Sequence, residues 1–319
     1  MKLTSVWPFI YLQLQAKEPV VLLLVLESTG SSPGRQGFKM AVTKNEMEGC
    51  IGGGIMEHKF VELAREKLQE TVINTQIKKQ FHTKSAGINQ SGMICSGEQT
   101  IFLYRLKEED IESVKMLIDS LKQFENGKLT FSPQGIHFSK ITPNQNFLFD
   151  HKKEDEWKYI EKTGAKNVLH IIGGGHCSLA LSKVMIEMDF CVNVYEDRKN
   201  LNTFIANDYA HRKVVVNDYA ELTTIISGGM NQYVVIMTFG YRTDDVALRA
   251  VINSDYKYIG VLGSKSKMVQ LFNEWKSKGL SNDRLNKINS PIGISIKSQT
   301  AEEIAISIAA EIIQVKNAE

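Results

Sequence analysis

The chain has 319 residues, 43% hydrophobic and 23% charged, an ordinary globular composition with length enough for two domains. A balance of 38 basic against 36 acidic residues leaves a net charge of +2, which makes no electrostatic case for nucleic acid or a membrane surface as partner. Four cysteines (Cys50, Cys95, Cys177 and Cys191) lie far apart with no C-x-x-C pair, which argues against a structural zinc site or a disulfide framework and fits a reducing cytoplasm.

Apolar positions at Val6, Trp7, Ile10, Leu12 and Leu14 predict a short helix over residues 4–16, ended by Pro19. The run Val20–Leu26 is continuous and apolar, as in a strand covered on both faces. It falls far short of the roughly 20 residues that cross a bilayer, and Glu18 and Glu27 flank it, so a cytoplasmic protein without a membrane segment is expected. The loop 27–37 is dense in turn residues, and Phe38–Val42 gives a second strand. Gly49-Cys-Ile-Gly-Gly-Gly-Ile-Met-Glu57 leads into a helix with Met56, Phe60, Leu63 and Ala64 on one face. Gln76–Phe81 and Gln99–Leu106 read as strands, and Ile111–Phe124 as a helix closed by Asn126-Gly127.

Residues 139–166 then turn polar, through Ser139-Lys-Ile-Thr-Pro-Asn-Gln-Asn146 and the charged stretch 151–156. They predict a linker between domains at 1–150 and 151–319. Beyond it strands alternate with helices. The strands fall at Val168–Ile172, Cys191–Tyr195, Lys213–Val216, Tyr233–Thr238, Tyr258–Leu262 and Ile292–Ile296, and the helices at 178–189, 202–209, 219–227, 243–252, 265–277 and 301–315. The fold class this predicts is α/β: a C-terminal doubly wound parallel, Rossmann-like sheet with a smaller N-terminal α/β domain. Thr300-Ala-Glu-Glu303 is a capping box at the start of the last helix.

Two glycine turns carry the chemistry. In Val168-Leu-His-Ile-Ile-Gly-Gly-Gly-His176 a strand stops at three glycines and a helix follows. Gly173, Gly175 and Ser178 occupy the positions of G-x-G-x-x-G, with Gly174 and His176 between them. Glycines there let the backbone approach a pyrophosphate, which the helix N-terminus receives. An acid about 20 residues on should meet the ribose, and Glu196 and Asp197 stand there, followed by Arg198, able to pair a carboxylate or a phosphate. A lone G-x-G would more often be an ordinary turn; strand, turn, helix and acid in register favour a nucleotide such as NAD(P). A polar residue such as His176 at a helix start more often satisfies backbone donors than does chemistry.

The earlier turn, Gly52-Gly53-Gly54, can form an anion-binding concavity, although composition alone favours a plain strand-to-helix turn. Glu57, beside the apolar stripe of its helix, is half-buried or reaches into a cleft, and Arg35 flanks another glycine-rich turn where it either meets an anion or stays solvated. Cys95, between Gly92 and Gly97, is either an accessible thiol able to bind a soft metal or carry sulfur, or an inert buried one. Ser264 and Lys265 follow the fifth strand at the sheet's carboxyl end; Lys265 and Lys267 open a helix against its dipole, which makes more sense beside an anion, while two solvated lysines are an equally weighted alternative.

Taken in order, these segments resemble one family, the xanthine dehydrogenase accessory factors of the XdhC/CoxI group. The resemblance rests on Gly30-Ser-Ser-Pro-Gly-Arg-Gln-Gly-Phe-Lys-Met40, Gly49–Glu57, Met93-Ile-Cys-Ser-Gly97, Ile172-Gly-Gly-Gly-His176, Glu196-Asp-Arg198, Tyr258–Lys265, and Pro291–Ile296 with Thr300–Ala305. It departs from the family's pattern at Phe239, where a histidine is expected, and at Cys50, where a small hydroxyl residue is expected. The resemblance implies a protein that binds the molybdenum cofactor as cargo, protects it during sulfuration and delivers it to a xanthine dehydrogenase-type molybdenum hydroxylase. Its partners would be that hydroxylase and a cysteine desulfurase, it would form a homodimer, and it would be a chaperone rather than an enzyme. Cys95 would then be the thiol that approaches molybdenum or sulfur. Two other readings stand beside it on the C-terminal turn alone: an NAD(P)- or flavin-dependent oxidoreductase, and a nucleotide-sensing module that gates a partner.

Overall fold

The computed structural model describes residues 6–70, 75–81, 97–123, 125–153, 156–165, 167–277, 279 and 281–318. The chain divides between Gly164 and Ala165 into two units.

The N-terminal unit opens with helix α1 (Val6–Gln15) and builds a sheet from β1 (Val21–Gly30), β2 (Lys39–Val42), β3 (Met47–Gly49), β4 (Gln76–Phe81) and β5 (Gly97–Arg105). Their order is β3-β2-β1-β5-β4 and every pairing is antiparallel. The run Val20–Leu26 is fully buried, as a strand between two layers must be. On one face Val21, Leu23, Val25, Ile101 and Leu103 pack with Met56, Phe60, Val61 and Ala64 of α2 (Gly54–Gln69). On β5, Phe102 meets Phe131 and Trp157 edge-on. Those two rings belong to a second sheet that follows α3 (Asp110–Lys122): β6 (Gly127–Ser132), β7 (Gly135–Ser139), β8 (Phe147–Lys153) and β9 (Glu156–Thr163), in the antiparallel order β7-β6-β9-β8.

The division at 164/165 falls inside the stretch expected as a linker over 139–166, but that stretch is largely strand. The physical reason is period-2 burial: Trp157, Tyr159, Glu161 and Thr163 turn inward on β9 beneath its charged outer face.

The C-terminal unit is the expected doubly wound sheet. It contains β10 (Asn167–Ile172), α4 (His176–Glu187), β11 (Phe190–Glu196), α5 (Asn202–Ile205), β12 (Arg212–Val215), α6 (Leu222–Ile225), β13 (Gly229–Ile236), α7 (Tyr241–Val251), β14 (Tyr256–Val261), α8 (Lys265–Ser277), α9 (Asn282–Leu285), β15 (Ile288–Asn289) and α10 (Ala301–Asn317). All strands are parallel, in the order β12-β11-β10-β13-β14-β15. Alternate strand residues feed two cores. Leu169, Ile171, Val192, Val194 and Val235 pack with Leu181 and Met185 of α4 and Ile308 and Ile312 of α10. Ile172, Val234, Ile236, Ile259 and Val261 pack with Ala247, Leu248 and Val251 of α7 and Leu271 and Trp275 of α8. Helices therefore cover both faces.

The last strand is β15, not the expected Ile292–Ile296. Pro291 stands just before that run with no N–H to donate, and Gly293 has φ +92 with its N–H donated to Glu311 at 2.9 Å instead of a strand neighbour. Ile292 packs over Gly260, where an added Cβ would meet its Cδ1 at 2.4 Å. Among the described residues no helix is long and apolar enough to cross a membrane.

Candidate functional site

In the C-terminal unit the strand order reverses between β10 and β13, the switch point at whose carboxyl end open α/β sheets bind ligands. β10 ends at Ile172 and Gly173 turns the chain at φ +110; an added Cβ would meet the Met237 carbonyl oxygen at 2.3 Å. Only glycine lets this turn lie against the end of β13. At Gly174 a Cβ would meet Phe204 at 2.8 Å and Glu196 Oε2 at 3.1 Å, so the turn's middle is packed from behind. Gly175, the N-cap of α4, has nothing within 4 Å of such an atom and makes no side-chain cap bond. The N-terminus of α4 is open at that residue, as a phosphate-receiving turn requires. His176 is the first residue of α4 and is exposed.

Glu196 ends β11 fully buried. Its Oε2 accepts from Gly174 N at 2.5 Å and from Arg198 Nη2 at 3.1 Å, and its Oε1 from Arg198 N at 3.1 Å and Nε at 2.6 Å. A carboxylate has about four acceptor directions, and here all four are used. Burial opposes the charge on Glu196, yet the Arg198 guanidinium, Asp197 and the Gly174 N–H together hold its carboxyl below the usual range. The acid that the sequence offers to a ribose therefore braces the glycine turn from within.

Asp197 is the outward neighbour. Burial and the adjoining Glu196 raise it, and it takes a hydrogen bond from Tyr219 Oη at 3.3 Å. Arg198 lays its guanidinium over the ring of Phe239, 5.3 Å from the centroid. Phe239 follows β13 and is 85% exposed. Its loop is tied down from within: Asp244 Oδ1 accepts from Thr238 N at 3.0 Å, and Thr243 Oγ1 from Gly240 N at 3.2 Å. In the sequence Phe239 stood out only as a departure from the family's pattern, in place of a histidine; the structure sets its ring against Arg198. Ser264 follows β14 and its carbonyl accepts from Met268 N at 3.0 Å, at the start of α8, whose first residue is Lys265.

In the N-terminal unit Gly52, Gly53 and Gly54 take φ of +134, +74 and +68 before α2. The concavity they form already holds a carboxylate: Glu57 Oε2 accepts from Ile51 N at 2.9 Å and Gly53 N at 3.0 Å. The Cys50 thiol joins the same oxygen cluster and its Sγ accepts from Gly52 N at 3.2 Å. Burial works against the Glu57 charge, but the Cys50 S–H and the N–H groups of Ile51, Gly53 and Gly52 outweigh it and hold the carboxyl low. Burial, and then Glu57 itself, pushes the Cys50 thiol up, although Cys50 is exposed.

The loop bearing Arg35 abuts this turn. A Cβ at Gly34 would meet the Ile51 carbonyl oxygen at 2.0 Å, and buried Gln99 donates to that oxygen at 3.1 Å. Arg35 itself turns back to donate to Gly30 O at 3.1 Å. Cys95 lies outside the described residues, and among the described residues no group of three His, Cys, Asp or Glu could hold a metal ion.

Comparisons with known proteins follow the same two halves. The XdhC Rossmann domain model matches residues 169–312, and the model of the XdhC and CoxI family matches residues 13–75. The chain is 22% identical over 304 residues to the uncharacterized protein YqeB of Escherichia coli strain K12; the match covers 94% of this chain but spans 44% of YqeB. It is 21% identical over 323 residues to a Bacillus subtilis strain 168 protein described as a probable xanthine dehydrogenase subunit, covering 95% of each. The crystal structure described as a xanthine dehydrogenase from Bacillus halodurans shares the fold, with a TM-score of 0.72 at 21% identity over 98% of this chain and 96% of that one. Both glycine turns fall inside matched segments, Gly52–Gly54 in one and Gly173–Gly175 in the other, and the chain belongs to the XdhC family.

Proposed function

We propose that this chain is an accessory factor for a xanthine dehydrogenase-type molybdenum hydroxylase. It binds the molybdenum cofactor as cargo, shelters it while a cysteine desulfurase supplies the sulfido ligand, and passes it to the apoenzyme; it works as a cytoplasmic homodimer. Family membership supports the reading, as does the end-to-end match to a relative described as a probable xanthine dehydrogenase subunit.

The observation that carries it is the Cys50–Glu57 turn. Backbone N–H groups of Ile51 and Gly53 converge on one anionic oxygen, beside an exposed thiol. A phosphorylated cargo that displaces the Glu57 carboxylate would find those donors set for an anion, and a soft sulfur donor beside them suits molybdenum–sulfur chemistry. Cys95 is the second thiol to which this reading assigns that role.

The test mixes purified protein with cofactor released from a hydroxylase, then follows retention on gel filtration and activation of apo-hydroxylase. Retention and activation are expected, with weaker retention in Cys50→Ala or Cys95→Ala, and native mass spectrometry should give the mass of two chains. No retention and no activation, with both variants indistinguishable from the parent, would sink the proposal.

A further inference from the structure

Arg198 lies two residues beyond the end of β11, and Phe239 three beyond the end of β13. These strands flank β10 on either side, so their ends stand about 10 Å apart, twice the strand spacing. The cation–π contact between Arg198 and Phe239 therefore reaches across the end of β10, whose chain turns away there through Gly173–Gly175. Two features of this bridge have no structural explanation within the unit. The Phe239 ring is left 85% exposed although its loop is tied down by Asp244 and Thr243. The Arg198 side chain is 40% exposed; Glu196 grips its Nε and Nη2 edge, while Nη1 has no hydrogen-bond partner among the described residues. A planar cation held by one edge, with the other edge free and an aromatic face beside it, is a receptor for a phosphate attached to a flat ring.

Charge decides which phosphate. In a site that reads the two hydroxyls of an unphosphorylated ribose, the acid at the end of the second strand faces the ligand, and an arginine nearby accommodates an added phosphate instead. Here Glu196 faces inward with every acceptor direction used, and Asp197 already accepts from Tyr219 Oη at 3.3 Å with Arg198 Nε 3.6 Å away, so the carboxylates of this segment are engaged with its own residues.

We propose that the switch point of the C-terminal unit receives a phosphomonoester carried on a flat heteroaromatic compound, with Arg198 taking the phosphate and Phe239 stacking the ring, and that it disfavours dinucleotides whose phosphates are all diesters. The class includes both an adenine nucleotide with a terminal or ribose phosphate and a pterin phosphate. The inference concerns the C-terminal unit and not the Cys50–Glu57 turn to which the cargo-binding reading assigns the cargo's phosphate, and it does not rest on that reading.

The experiment is isothermal titration calorimetry of the full chain with paired probes: 5′-AMP against adenosine, NADP+ against NAD+, and neopterin monophosphate against neopterin. In each pair the phosphomonoester should bind at least about tenfold tighter, and the stronger of the AMP and neopterin phosphate arms identifies the adenine or pterin source. Arg198→Ala should erase the difference within each pair. Because that change strips Glu196 of its counter-ion, Phe239→Ala on the exposed ring is the second variant. It should weaken all ring-bearing phosphates several-fold and leave inorganic phosphate unaffected. Equal affinities within the pairs, tighter binding of NAD+, no binding of any probe at millimolar concentration, or a Phe239→Ala protein identical to its parent each overturns the proposal. Activation of apo-hydroxylase, measured separately, reports on the accessory role alone.

Discussion

At the scale of single residues, both glycine turns are organised by a carboxylate from their own unit. Glu57 satisfies the Ile51 and Gly53 N–H groups, and Glu196 satisfies Gly174. Glu57→Gln keeps the shape but loses the charge that makes those bonds strong, and because the site is part-exposed the expected loss of stability is about 1 kcal/mol at neutral pH. The sign with pH follows from the depressed Glu57 carboxyl. Its contribution is complete above the unfolded value of about 4.3 and disappears as pH falls through the lower folded value. Urea midpoints of parent and variant should therefore differ at pH 7 and converge as pH falls through the lowered folded value; a gap that persists in acid would refute this account. The same substitution removes the charge that, after burial, holds the Cys50 thiol up, so iodoacetamide should alkylate Cys50 faster in the variant at pH 7.5. The sequence located both acids but not their task. Position along a strand or helix says where a carboxylate stands, while its partners depend on which way the backbone N–H groups of a turn point, and that is set by the positive φ values at Gly52, Gly53 and Gly173.

At the scale of elements, legibility tracked local signals. The capping box at Thr300 is present as read: Thr300 Oγ1 accepts from Glu303 N at 3.2 Å and Glu303 reaches back to the Thr300 N–H. Thr300→Ala should lower stability by about 1 kcal/mol, and Thr300→Ser should restore most of it. The strands β8 and β9 were hidden because β8 is mostly exposed and charged, and its pairing is a non-local fact. The unit β10–turn–α4 offers a sharper contrast. Gly173→Ala puts a Cβ 2.3 Å from the Met237 carbonyl oxygen at φ +110, which costs about 1–3 kcal/mol in backbone strain before any clash. Gly175→Ala meets nothing within 4 Å and has an extended, negative-φ backbone, so its loss should stay within about 1 kcal/mol, the difference between the two as helix caps. Thermal melts of the two variants separate these cases, and equal losses would mean that the turn is not held against β13 as described.

At the scale of the whole molecule, the division at Gly164/Ala165 sets where a core mutation should be felt. Phe60 is 1% exposed among Val21, Leu23, Val25 and Leu103, and Leu181 is fully buried among Val192, Val194, Val235 and Ile308. Truncating either leaves a cavity worth about 3–5 kcal/mol for Phe60→Ala and 2–5 kcal/mol for Leu181→Ala. Domains with separate cores open as separate cooperative units. In Phe60→Ala, hydrogen exchange should therefore speed up at the β1 and β5 amides, such as Leu23 and Leu103, while Val192 and Val235 keep their protection. Leu181→Ala should give the reverse pattern. If each variant instead loosens both sets of amides equally, the chain unfolds as one cooperative body, and a ligand bound at either glycine turn would stabilise both turns together.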